Sequence, residues 1–170
     1  MSNLKTRALP LLAALAVSVP AFAAAPPDFS GDWKHTYSPG RERFGGSRIL
    51  IKQQGQKIRM QRWSATADPK LISDLDCVIG GDACTLTVDR STENALMSER
   101  RCTVYVQAAE LVNECTYAMR ADGKRSEKLI YGLAGDGSLK VEWVFATIYP
   151  AKTMIENENR ARPAELFKKQ

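Results

Sequence analysis

The chain predicts an all-β fold: an antiparallel up-and-down meander that curls into a barrel of about 8–10 strands. Three observations predict it. Short segments with alternating apolar and polar residues recur along the chain, tight-turn residues separate them, and the middle of the sequence shows no helical periodicity.

The first element is not part of that fold. Lys5 and Arg7 precede a short apolar run from Leu9 to Val19, and Pro20-Ala21-Phe22-Ala23 ends in a small-x-small cleavage pattern. Residues 1–23 therefore read as a secretory signal peptide, too short for a membrane span. The remaining stretch, 24–170, is long enough for a single domain with its own core. Export predicts a periplasmic or secreted protein whose four cysteines are disulfides. No later apolar run is long enough to span a bilayer, so a membrane-spanning protein is not expected. The formal charge is +5, and two of those cations, Lys5 and Arg7, leave with the signal. Acids interrupt the basic clusters Arg41-Glu42-Arg43 and Glu99-Arg100-Arg101. That pattern argues against nucleic acid as a partner.

After Pro26-Pro27 the candidate strands are Gly31–Tyr37, Ser47–Gln54, Lys57–Trp63, Leu75–Ile79, Ala83–Asp89, Arg100–Gln107, Glu110–Met119, Arg125–Leu133 and Ser138–Ala146, with a weaker one across Thr153–Arg160. Their tight connectors are Gly55-Gln56, Gly80-Gly81, Ala108-Ala109, Asp122-Gly123 and Asp136-Gly137. All but one contain glycine, where a two-residue hairpin turn needs positive φ. The longer loops are Ser38–Gly46, Ser64–Asp74 and Arg90–Glu99.

Treating three of these connectors as two-residue turns sets a register. Ile130 then faces Trp143, Cys115 faces Ile130, Tyr117 faces Lys128, and Cys102 faces Cys115. One apolar surface results, carrying Cys102, Val104, Val106, Leu111, Cys115, Tyr117, Ile130, Val141 and Trp143. A slip of one residue in a strand would turn its side chains to water. The Cys102–Cys115 pair falls at a non-hydrogen-bonded site, where side chains approach closest. Cys77 and Cys84 lie symmetrically about Gly80-Gly81, where a wider loop suits a disulfide better than a two-residue turn. Four cysteines allow three pairings, and the register favours 77–84 with 102–115. No CxxC pair exists, and the one histidine, His35, is remote from the cysteines. Neither a metal site nor a cofactor is expected.

The segment Asp28-Phe29-Ser30-Gly31-Asp32-Trp33-Lys34 carries a Gly-x-Trp motif and resembles the opening of exported bacterial lipocalin-like domains of the calycin superfamily. Ile49 to Ile58 resembles their second hairpin, and Tyr131 to Val141 a late one. The resemblance covers most of the chain after the signal and implies an up-and-down barrel able to hold one small ligand. It implies that Trp33 packs at the closed end beneath an arginine of the last strand, Arg160 or Arg162. Two features depart from the family pattern. The disulfides sit on hairpins instead of reaching the C-terminal segment, and Pro163–Gln170 offers at most a turn or two of C-terminal helix.

Few residues carry chemistry. His35 is the only side chain with an unperturbed pKa near neutrality, and alternation places it on one face with Trp33 and Tyr37. It reads first as a histidine satisfied by its neighbours and second as a general base, so an enzyme such as an isomerase or cyclase using His35 stands as the third reading, behind two non-catalytic ones. Asn113, Tyr117 and Lys128 are polar groups that the register puts on the inner face, and Trp143 offers an aromatic wall. The candidate ligand-binding set is His35, Tyr37, Asn113, Tyr117, Lys128 and Trp143. Arg41, Arg43 and Phe44, in the Ser38–Gly46 loop, form a candidate partner contact. The expected function is non-catalytic binding of a small, partly apolar ligand. The alternative is a protein-binding module: an inhibitor, an immunity protein or an accessory of an envelope complex.

Overall fold

A computed structural model of the chain describes residues 26–36, 47–89, 97–151 and 156–170. The signal segment, Tyr37 and the whole Arg41-Arg43-Phe44 loop lie outside the described residues. Ten strands form one curled antiparallel sheet, as the alternation predicts: β1 (Gly31–His35), β2 (Arg48–Gln54), β3 (Lys57–Trp63), β4 (Leu71–Val78), β5 (Thr85–Asp89), β6 (Met97–Gln107), β7 (Glu110–Met119), β8 (Lys124–Leu133), β9 (Leu139–Ile148) and β10 (Glu158–Lys169). The sheet order is β5-β4-β3-β2-β1-β10-β9-β8-β7-β6. The last strand therefore pairs with the first, and the meander curls into a barrel-like shell whose two sheet edges are β5 and β6.

The tight turns all lie at one end. There Gly55 and Gly80 take positive φ, and Ala108 and Ala109 form the predicted two-residue turn with both residues left-handed. Among the described residues, the longer connections 64–70 and 120–123 lie at the opposite end. The closed end is filled by Phe29, Trp33, Ile51, Ile58 and Leu139, all buried. The Trp33 indole N–H donates to the Phe29 carbonyl at 3.1 Å. A β-carbon on Gly31 would stand 2.7 Å from the Trp33 ring, which accounts for the glycine in Gly-x-Trp. The cation over Trp33 is Lys169, with Nζ 5.6 Å from the ring centre. Arg162 instead lies over Trp143 at 4.0 Å, and this corrects the expectation of an arginine over Trp33.

Both cysteine pairs form as the register predicts, Cys77 with Cys84 and Cys102 with Cys115, at Cα separations of 4.4 and 4.0 Å. Cys102 and Cys115 are directly opposite. The β8 register differs from expectation. A 3-10 turn at Arg120–Asp122 joins β7 to β8, Leu111 faces Tyr131 and Cys115 faces Glu127. Leu129 and Tyr131 are therefore buried, while Ile130 faces Glu142 on the outer surface. Lys128 is also on the outer side, opposite Glu114, with Nζ 3.3 Å from its carboxylate. The C-terminal segment corrects a second expectation: Pro163 interrupts no helix but lies in the irregularity between Arg162 and Glu165 of β10. A bulge tolerates a residue without an N–H, and beyond it Phe167 returns to the core opposite His35.

Candidate functional site

The inner face of a barrel strand shows every second residue, so side chains near the long-connection end decide what the mouth can hold. A cavity of about 400 Å³ opens there. Ile49 of β2, Leu129 and Tyr131 of β8, Val141 of β9 and Phe167 of β10 line its depth. Trp63 and Trp143 supply aromatic walls, Arg62 and Glu165 are its charged lining, and Ser64, Ala65 and Thr66 form part of the rim. The rim serines and threonines are engaged with one another: the Ser64 and Thr66 hydroxyls are 3.0 Å apart, and the Thr66 hydroxyl donates to the Asp68 carbonyl at 2.6 Å.

Strand alternation alone would not bring both Arg62 and Trp63 to one cavity. The ladder between β3 and β4 shifts register between these two residues, and the irregularity lets consecutive side chains share the same space. Trp143 projects from β9 with Arg162 stacked on its ring. The indole N–H groups of Trp63 and Trp143 are both buried with no acceptor among the described residues. Tyr131 is wholly buried. Burial raises its hydroxyl above the ordinary tyrosine pKa, and nearby Arg62, Asn113 and Arg100 act in the opposite direction.

The structure separates the sequence-predicted residues. Trp143 lines the cavity. His35 is buried behind its wall, edge-on to Phe167 with ring centres 5.1 Å apart and with Nε2 3.7 Å from a Glu165 carboxylate oxygen. Asn113 is buried on the inner face near Tyr131. Tyr117 is buried and donates to Glu127 at 3.1 Å; it borders a separate depression of about 370 Å³ with Arg101, Arg125 and Ile148. Lys128 lies outside the barrel, in a pair with Glu114 that also includes the Tyr105 hydroxyl, 2.9 Å from that carboxylate. Trp63, Tyr131, Arg62 and Glu165 were not foreseen. The available signal for Trp63 was a tryptophan closing a strand just before the polar Ser64–Asp74 loop.

No family model and no curated protein matches the chain. Among solved structures, one titled AVR2 is similar at 13% identity, covering 86% of this chain and 98% of that one, with a TM-score of 0.36. A likeness that slight carries no argument about function. No helix among the described residues is long and apolar enough to cross a membrane. The two cysteine pairs fit an oxidising, extracytoplasmic environment.

Proposed function

We propose that the chain is an exported, non-catalytic barrel, periplasmic or secreted, that holds a small, partly apolar ligand in the mouth cavity. The observation that carries this reading is an aromatic-walled space of about 400 Å³ at the mouth of the shell, with Trp63 and Trp143 as walls and Arg62 and Glu165 as its charged lining. The volume falls within the range of small-molecule sites, which pair apolar walls with a few polar groups. His35 sits behind the wall, so it supports the shape of the cavity instead of meeting its contents.

Native mass spectrometry of the exported protein, purified from its own host without denaturation, tests the proposal. The expected result is an adduct of one small molecule per chain that disappears on unfolding. Trp143→Ala should lower its occupancy while both disulfides remain intact. A clean apo mass, together with no thermal shift from a panel of small amphiphiles, would overturn it.

A further inference from the structure

We infer that the ligand of this cavity is a small organic oxyanion: an apolar body carrying one carboxylate or sulfonate, which Arg62 receives. The inference rests on the proposed binding role and adds the ligand's chemical class. Arg62 lines the cavity beside Tyr131 and Trp63, and no carboxylate stands within ion-pair distance of it among the described residues. A guanidinium has donors only. The walls beside it, Trp63, Trp143, Leu129 and Val141, are aromatic or aliphatic and suit an apolar body. An oxyanion supplies the acceptors that this guanidinium lacks.

Arg62 is the cation of the lining. Glu165 is the carboxylate of the lining, and it lies 3.7 Å from His35 Nε2. Glu127 is engaged by Arg125 at 2.9 Å and by the Tyr117 hydroxyl. Outside the lining, Arg100 lies over the Tyr117 ring at 5.4 Å and acts on the Tyr131 hydroxyl. Arg162 lies over Trp143 at 4.0 Å.

Two dyes of nearly the same body separate the charge from the cavity: 8-anilino-1-naphthalenesulfonate, an anion, and N-phenyl-1-naphthylamine, its neutral counterpart. Fluorescence titrations use the oxidised protein lacking residues 1–23. The sulfonate should bind about tenfold or more tighter than the neutral dye. Arg62→Met should lower sulfonate affinity by about tenfold or more, the size expected for one charge-assisted hydrogen bond, and change the neutral dye less than about twofold. Arg62→Lys should recover part of the loss. Equal affinity for the two dyes, or an equal response of both to Arg62→Met, would overturn the anion assignment while leaving the cavity as a neutral-ligand site. If neither dye binds, or if Trp143→Ala leaves both titrations unchanged, the binding role fails and this inference with it. Urea midpoints of each variant show that the loss is local.

Discussion

Asp74 illustrates how a single side chain is committed by its partners. It is buried, accepts from Arg59 Nε and Nη2 at 2.8 and 2.6 Å, and accepts from Gln61 at 2.8 Å. The hydrogen bonds from Arg59 hold its carboxyl below the usual aspartate range, with burial opposing and Gln61 assisting. A depressed folded-state pKa contributes stability that is present above the unfolded value, about 3.9, and is lost as pH falls through the lower folded value. Asp74→Asn should therefore cost about 2 kcal/mol at neutral pH. Urea titrations should show the gap between variant and parent closing as the pH is taken below the ordinary aspartate value. A gap that does not change with pH would show that packing, not charge, sets the cost. Gly31 is constrained as tightly. Gly31→Ala should push the Trp33 ring off its seat, break its bond to the Phe29 carbonyl and cost about 1–3 kcal/mol. The change is readable in urea midpoints together with a red shift of tryptophan emission. At this scale the site was only partly legible. Trp143 was found because its parity was right. Trp63 was hidden because strict alternation put it on the wrong face, and only the irregularity after Arg62 turns it to the cavity.

Among the elements, turns decide what the sequence can reveal. The β6–β7 turn has two alanines, both left-handed at φ 49° and 65°. An L-residue there costs about 1–2 kcal/mol, and glycine removes most of the strain. Ala109→Gly should thus stabilise the protein by about 1 kcal/mol, seen as a higher urea midpoint at unchanged slope. A lower midpoint would mean that the alanine methyl contributes contacts worth more than the strain. That turn was read correctly, so Cys102 opposite Cys115 followed. The next two turns were each misread by an odd number of residues. The 3-10 turn at Arg120–Asp122 moves β8 by an odd step and carries Tyr131 inward in place of Ile130. The β8–β9 turn closes with Ala134 N–H on the Ser138 carbonyl, one residue from the expected register, so Tyr131 faces Val141. The two slips cancel in parity. Val141 and Trp143 therefore point inward as expected, while Lys128 and Ile130, on the strand between, do not. Strand existence came from alternation for β1 to β9, whereas β10, Glu158–Lys169, lies mostly beyond the expected Thr153–Arg160 strand because Pro163 and the bulge around it interrupt the pattern. Strand facing came from turn length, which depends on backbone conformations that Arg120-Ala121-Asp122 does not advertise.

For the molecule as a whole, closure is the governing feature. β10 joins β1 through Trp33 opposite Lys169 and His35 opposite Phe167, so chain order and sheet order part company only between β5 and β6. Those two edge strands are drawn together at the tight-turn end. The Gly80 N–H donates to the Val104 carbonyl and the Cys84 N–H to the Cys102 carbonyl, both at 2.7 Å. The disulfides flank this seam, 77–84 on one side and 102–115 on the other, and one backbone hydrogen bond directly links cysteine segments of the two pairs. Edge strands have a neighbour on one side only, so a cross-link to that neighbour replaces part of the missing ladder. Loss of 102–115 by paired Cys102→Ser and Cys115→Ser should cost about 3 kcal/mol on the chain-entropy account. The effect should be uneven. Amide exchange at Gly80 and Cys84 should accelerate far more than at Thr36 and Gln170, whose N–H groups donate to Leu166 and Asp32 across the β1–β10 junction. Hydrogen exchange followed by peptide mass analysis distinguishes the two sites. A uniform acceleration would mean that the shell opens as one unit and that the seam holds no independent weakness. Selective acceleration at Gly80 and Cys84 would establish the seam as the place where this barrel first comes apart.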